Sequence, residues 1–167
     1  MQDKPSSNRG FTIVELLIVI VVIATLAAIS VVAYNGVQSR AKDAKRAQDF
    51  AVIEKALRGY DALYGGVPTT NAYSGNGGGG WNDSSMTNWL TFLEKDFGKM
   101  PRDSTNTLGS GTYSTDPAAR QYFYYCYPSS SLVESNKPTV RIGYHKEDDT
   151  LVAKNFVVQT CLSSVPS

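Results

Sequence analysis

The sequence predicts an α+β fold in which one long N-terminal helix packs on a small antiparallel β-sheet head. Three observations carry this. Leu16 to Ala33 is an uncharged apolar run whose only polar side chains are Thr25 and Ser30. Beyond it Phe50, Ile53, Leu57, Tyr60 and Tyr64 recur at alternating three- and four-residue steps, which places them on one helix face. Near the C-terminus, Gln121 to Tyr127, Thr139 to His145 and Thr150 to Gln159 are rich in aromatic and β-branched residues and read as strands.

The first ten residues are polar and hold Lys4 and Arg9. The apolar run that follows is long enough to cross a bilayer rather than to sit in a soluble core. Glu15 stands at its front, and a carboxylate there is costly in lipid and asks for a partner. Lys4 and Arg9 leave Met1 to Gly10 on the cytoplasmic side and the C-terminal part outside. A cleaved secretory signal fits less well, because the apolar core continues past the weak site at Thr25-Leu26-Ala27.

The junction Arg9-Gly10-Phe11-Thr12-Ile13-Val14-Glu15, with the apolar helix behind it, resembles the class III leader of type IV pilins and their relatives. The resemblance implies that a prepilin peptidase cuts between Gly10 and Phe11 and methylates the new N-terminus at Phe11. It makes Glu15 the acidic assembly position. It further implies a helical homopolymer of this chain, an assembly ATPase and a membrane platform protein as partners. Family members often carry a proline late in the apolar helix; Val32 stands there, so any loosening is expected at Asn35-Gly36.

Glu15 also has a physical role that needs no family. A freed α-amino group at Phe11 has a reference pKa of about 7.7–8 and is largely protonated at neutral pH. An isolated charge deep in a bilayer costs roughly 2.5–3.5 kcal/mol, part of which a buried opposite charge removes. The Phe11 amine lies one helical turn from Glu15 and also within reach of Glu15 on a neighbouring copy. Glu15 therefore favours a packed subunit over a lone one.

The helix continues through the Phe50–Tyr64 stripe, supported by Ala41, Ala44, Ala47 and Ala51 and by the i,i+4 pair Glu54–Arg58. From Phe11 to about Leu63 it would measure on the order of 80 Å, and Gly65-Gly66 with Pro68 end it. The expected organisation is a leader at 1–10, a transmembrane and assembly half at 11–36, an amphipathic half at 37–64 and a globular head at 65–167.

Within the head, Thr69 to Ser85 is a polar, Gly-rich loop. Gly75 to Gly80 matches G-x-G-x-x-G formally, but no strand precedes it, and a phosphate loop is rejected. A short helix is expected from about Ser85 to Phe97, capped by Asp83, Ser84 or Ser85 and closed by Gly98. Asp103, Asn106 and Asp116 fall in a turn-rich stretch. Pilin-like secretion subunits sometimes bind calcium in such a loop, but this spacing matches no defined calcium site and favours turn roles. Lys146 to Asp149 is the connection of a hairpin. In the first strand either Phe123, Tyr125 and Tyr127 or Tyr122, Tyr124 and Cys126 face inward, and the pattern leaves both open.

Cys126 and Cys161 are the only cysteines; in an exported chain they read as a disulfide, and as free thiols if the exporting compartment is not oxidising. His145 is the sole histidine, no nucleophile and base are paired, and no metal or cofactor is expected; the chain reads as no enzyme. Side-chain charge is balanced once Lys4, Arg9 and Asp3 leave with the leader, so nucleic-acid binding is not indicated. The expected function is that of a pilin, a precursor in the cytoplasmic membrane and then a subunit of an extracellular pilus serving adhesion, motility or DNA uptake. A minor pilin or type II secretion pseudopilin is the near alternative. A membrane-tethered module that captures sugar or DNA without polymerising is the distant one.

Overall fold

The computed structural model describes residues 11–69, 82–106, 120–130 and 136–166. Helix α1 spans Ile13–Tyr64 without a break, including Asn35-Gly36. The expected loosening is absent because Gly36 is exposed and neither a proline nor an inserted side chain interrupts the hydrogen-bond ladder there. The chain divides into two compact units, one ending at Arg40 and one covering Ala41–Ser167, so α1 contributes to both.

The first unit is the apolar half of α1, and its large side chains from Ile13 to Ile29 all face outward. It is the one described helix long and apolar enough to cross a membrane.

In the second unit α1 buries Ile53, Ala56, Leu57 and Tyr60, with Phe50 and Tyr64 packed at the margins. That is the predicted stripe. Gly65 ends the helix at φ 72°, donating its N–H to the Asp61 carbonyl at 2.9 Å, a left-handed cap that glycine adopts without steric cost. Two short strands follow: β1, Val67–Pro68, and β2, Asn82–Asp83. Neither is long enough to show a periodicity. β2 lies in the stretch expected to be loop, and β1 just before it; Gly75 to Gly80 falls outside the described residues.

The helix expected over Ser85–Phe97 is a correction. Turns occupy 84–90, a 3₁₀ turn covers Thr91–Leu93, and α2 is the single turn Glu94–Phe97. Leu90 sits at φ 46°, which no continuous helix allows. Competing hydrogen bonds explain it. Asp83 Oδ1 accepts the Ser85 N–H at 2.9 Å and Asn82 Oδ1 accepts that of Leu90 at 3.3 Å. Arg102 donates to the carbonyls of Ser84, Met86 and Thr87, three acceptors a helix would have used. Gly98 closes α2 as expected, at φ 74°.

Strands β3 (Phe123–Ser130), β4 (Lys137–His145) and β5 (Leu151–Val157) form an antiparallel meander, and β2 adds to β3 to give the order β2-β3-β4-β5. β3 runs past Pro128 through an irregular register between Tyr127 and Ser130, and such a break in the ladder tolerates the missing N–H of a proline. Lys146 to Asp149 turns the chain from β4 to β5, with Asp149 at φ 65°. The inward set is Tyr122, just before β3, with Tyr124 and Cys126 on it, and they share one core with Ile53, Leu57 and Tyr60 of α1. Phe123 is buried on the other face, where its ring takes the space that a side chain on Gly143 would fill. The last strand, β6 (Cys161–Leu162), pairs in parallel with β1. A Cys126–Cys161 disulfide joins that ribbon to β3, with Cα atoms 5.8 Å apart.

Candidate assembly site

The N-terminal end of α1 carries its own cap. Thr12 precedes the first helical residue, and its Oγ1 accepts the Glu15 backbone N–H at 3.2 Å. In return Glu15 Oε2 accepts the Thr12 backbone N–H and the Thr12 hydroxyl, both at 2.8 Å. This is a reciprocal capping box, and it satisfies donors that the start of a helix otherwise leaves without partners. The T-x-x-E spacing was readable in Thr12-Ile13-Val14-Glu15, and Thr12 is the site residue that the sequence reasoning missed. Glu15 Oε1 takes no hydrogen bond from the described residues and stays open to a further donor.

Around that carboxylate the surface is apolar. Phe11, Glu15, Leu16 and Val19 line a shallow hollow of about 410 Å³ on one side of the helix. Phe11 is 85 % exposed, while Gly10 falls outside the described residues. Further along, Thr25 donates its hydroxyl to the Val22 carbonyl and Ser30 to the Leu26 carbonyl, each at 2.8 Å. The two polar side chains of the apolar run are thereby satisfied within the helix, which suits a lipid or helix-lined surrounding. Glu15 is left as its only charge.

In the second unit, the helix is locked to the head by charge. Arg46 is 2 % exposed and donates from Nε to Asp103 at 2.5 Å, from Nη1 to Glu147 at 2.7 Å and to Asp43 at 3.2 Å, and from Nη2 to Thr105 at 3.1 Å. The Glu147 N–H in turn reaches Asp43 at 3.1 Å. Burial alone would raise the Asp103 carboxyl pKa, but Arg46 and the Thr105 N–H outweigh it and hold it below the usual range. Burial opposes the charge on Arg46 as well, and its carboxylate partners more than offset that. Next to this cluster Tyr122 donates to Asp49 at 3.0 Å; burial first, then that carboxylate, pushes the Tyr122 pKa up. Asp103 is therefore an ion-pair partner as well as the turn residue expected, its Oδ1 accepting the Thr105 N–H at 2.8 Å. Asn106 accepts from the Ser84 hydroxyl at 2.7 Å, and Asp116 lies outside the described residues. Among the described residues no three His, Cys, Asp or Glu side chains are grouped to hold a metal.

Comparison with known proteins bears on the N-terminus. The family model for the prokaryotic N-terminal methylation motif matches residues 5–31. No curated protein and no solved structure matches the chain. The motif implies processing by a prepilin peptidase and engagement with pilus assembly machinery, and with the apolar helix it fits a membrane-anchored precursor. Residues 5–31 thus carry a prokaryotic N-terminal methylation motif, the kind of leader found on type IV pilins, and it supports a pilin-like or pseudopilin precursor.

Proposed function

We propose that the chain is the structural subunit of a type IV pilus. Cleavage between Gly10 and Phe11 frees the Phe11 amine, methylation retains its charge, and the subunit waits in the cytoplasmic membrane with its C-terminal unit outside. An assembly ATPase and platform protein then extrude it into a filament on the cell surface. The observation that carries this reading is Glu15, alone in an apolar surface, held by Thr12 and still offering an oxygen to a cation. A neighbouring copy supplies that cation as its Phe11 amine, and polymerisation replaces lipid around the apolar helix with other helices. The head, locked to the second half of α1, is what the filament displays for adhesion, motility or DNA uptake.

Mass spectrometry of material sheared from the cell surface tests the reading. It should find this chain beginning at a methylated Phe11, and Glu15→Val should abolish or sharply reduce that material while the processed subunit still accumulates in the membrane. Recovery of the chain with Met1 to Gly10 attached would overturn the proposal. Confinement to a short periplasmic structure required for secretion would replace it with a pseudopilin role.

A further inference from the structure

The second unit carries a hollow where opposite charges line one space without meeting. Its volume is about 370 Å³, and Thr87, Trp89, Glu94, Lys99, Met100 and Arg102 line it. Thr87, Glu94, Lys99 and Arg102 are exposed and form the rim, while Trp89 and Met100 are buried and form the base. Glu94 opens the single turn of α2, and Gly98 at φ 74° turns the chain so that Lys99 lines the same hollow. Among the described residues neither the Glu94 nor the Lys99 side chain makes a hydrogen bond or an ion pair. Arg102 is tied to the backbone instead, donating to the carbonyls of Ser84, Met86 and Thr87, and no carboxylate among the described residues neutralises it. Those bonds occupy at most three of its five N–H groups, so Nε–H and at least one other remain free to donate.

The walls are braced before any ligand arrives. Arg102 holds the turn at 84–87, and Trp89 donates from Nε1 to the Pro101 carbonyl at 2.9 Å, between Met100 and Arg102. A ligand therefore meets a cation already in place, which lowers the ordering cost of binding, and the volume is that of a small-molecule site. The charges select the ligand. A plain anion such as phosphate would suit Lys99 and Arg102 but be repelled by Glu94. An amine would suit Glu94 and be repelled by the two cations, and a neutral sugar would leave all three without a counter-charge. A molecule with a carboxylate and an ammonium group close together answers all three, and the free N–H donors of Arg102 suit the paired oxygens of a carboxylate. We propose that this hollow binds a small zwitterion of the α-amino acid class, its carboxylate between Lys99 and Arg102 and its ammonium group on Glu94. Polymerisation is not required for it.

The test uses the full chain in detergent, unpolymerised, and follows binding of glycine, L-serine, L-glutamate and L-lysine by ligand-observed NMR. Saturable binding of at least one at millimolar concentration is expected, weakening as salt is added. Lys99→Met and Glu94→Gln should each weaken it roughly fivefold, the upper reach of a solvent-exposed charge pair, whereas Glu94→Asp, which keeps the charge, should retain most of it. Both positions are exposed, so neither substitution disturbs the core. Acetate and methylamine, each with one of the two charges, should bind more weakly than the amino acid. No binding of any of the four, binding indifferent to both Lys99→Met and Glu94→Gln, equal binding of acetate, or preference for phosphorylcholine as a lipid headgroup overturns the proposal. None of these outcomes bears on whether the chain forms filaments.

Discussion

Replacing Arg46 with methionine removes the guanidinium and keeps most of the volume. Asp103, whose side chain is 0 % exposed, then has no cation, whereas Asp43 and Glu147 at 26 % and 23 % can turn to water. Breaking one partner out of a buried ion pair costs about 3–5 kcal/mol, far above the 0–1 kcal/mol typical of an exposed pair. At an unfolding entropy of about 2.1 cal/mol/K per residue, a unit the size of Ala41–Ser167 should lose roughly 11–19 °C in Tm. The assay is thermal unfolding of the full chain in detergent, followed by tryptophan fluorescence. Trp89 is a suitable reporter, being 2 % exposed and bonded through Nε1 to the Pro101 carbonyl at 2.9 Å, two residues from Asp103. A double variant, Arg46→Met with Asp103→Leu, should recover much of the loss, since a well-packed apolar pair often replaces a buried ion pair at little cost. A fall below about 3 °C for the single variant, under 1 kcal/mol on the same scale, would refute the idea that this cluster holds the helix to the head.

Acid should act through the same cluster: the Asp103 pKa is lowered on folding, so its contribution is present above the unfolded value near 3.9 and is lost as pH falls through the folded one. Asp103→Asn should therefore lower Tm at pH 7 and flatten the decline of Tm on acidification below about pH 4. Removing the disulfide with Cys126→Ser and Cys161→Ser should cost about 4 kcal/mol for a sequence separation of 35, read as a matching fall in Tm under non-reducing conditions. Gly143→Ala should cost about 1–3 kcal/mol, because the new methyl would press on the Phe123 ring and lie 2.6 Å from the Val152 carbonyl oxygen; an unchanged Tm would contradict the packing described.

How much of this was legible varies with the range of the forces involved. The Phe50–Tyr64 stripe announced its buried face because helical periodicity is written in neighbouring residues, and α1 buries that face. The meander β3-β4-β5 was legible for the same reason, with boundary shifts of a few residues. The broken helix at 84–97 was not, because Arg102 and Pro101 intervene from a different segment. At the candidate assembly site Gly10, Phe11 and Glu15 stood out as motif residues, while the part of Thr12 needed the capping geometry to be noticed.

By itself the sequence determined the membrane-length helix, the lone carboxylate at its start and the strand content of the head, since each follows from local composition, spacing and the cost of charge in lipid. Only the tertiary structure decided that Tyr122, Tyr124 and Cys126 face inward, that Arg46 gathers carboxylates 57 and 101 residues away, and that Glu94, Lys99 and Arg102 line one hollow. The reason is that burial and pairing of side chains depend on which distant segments the fold brings together, and alternation along a single strand is the same whichever face is covered.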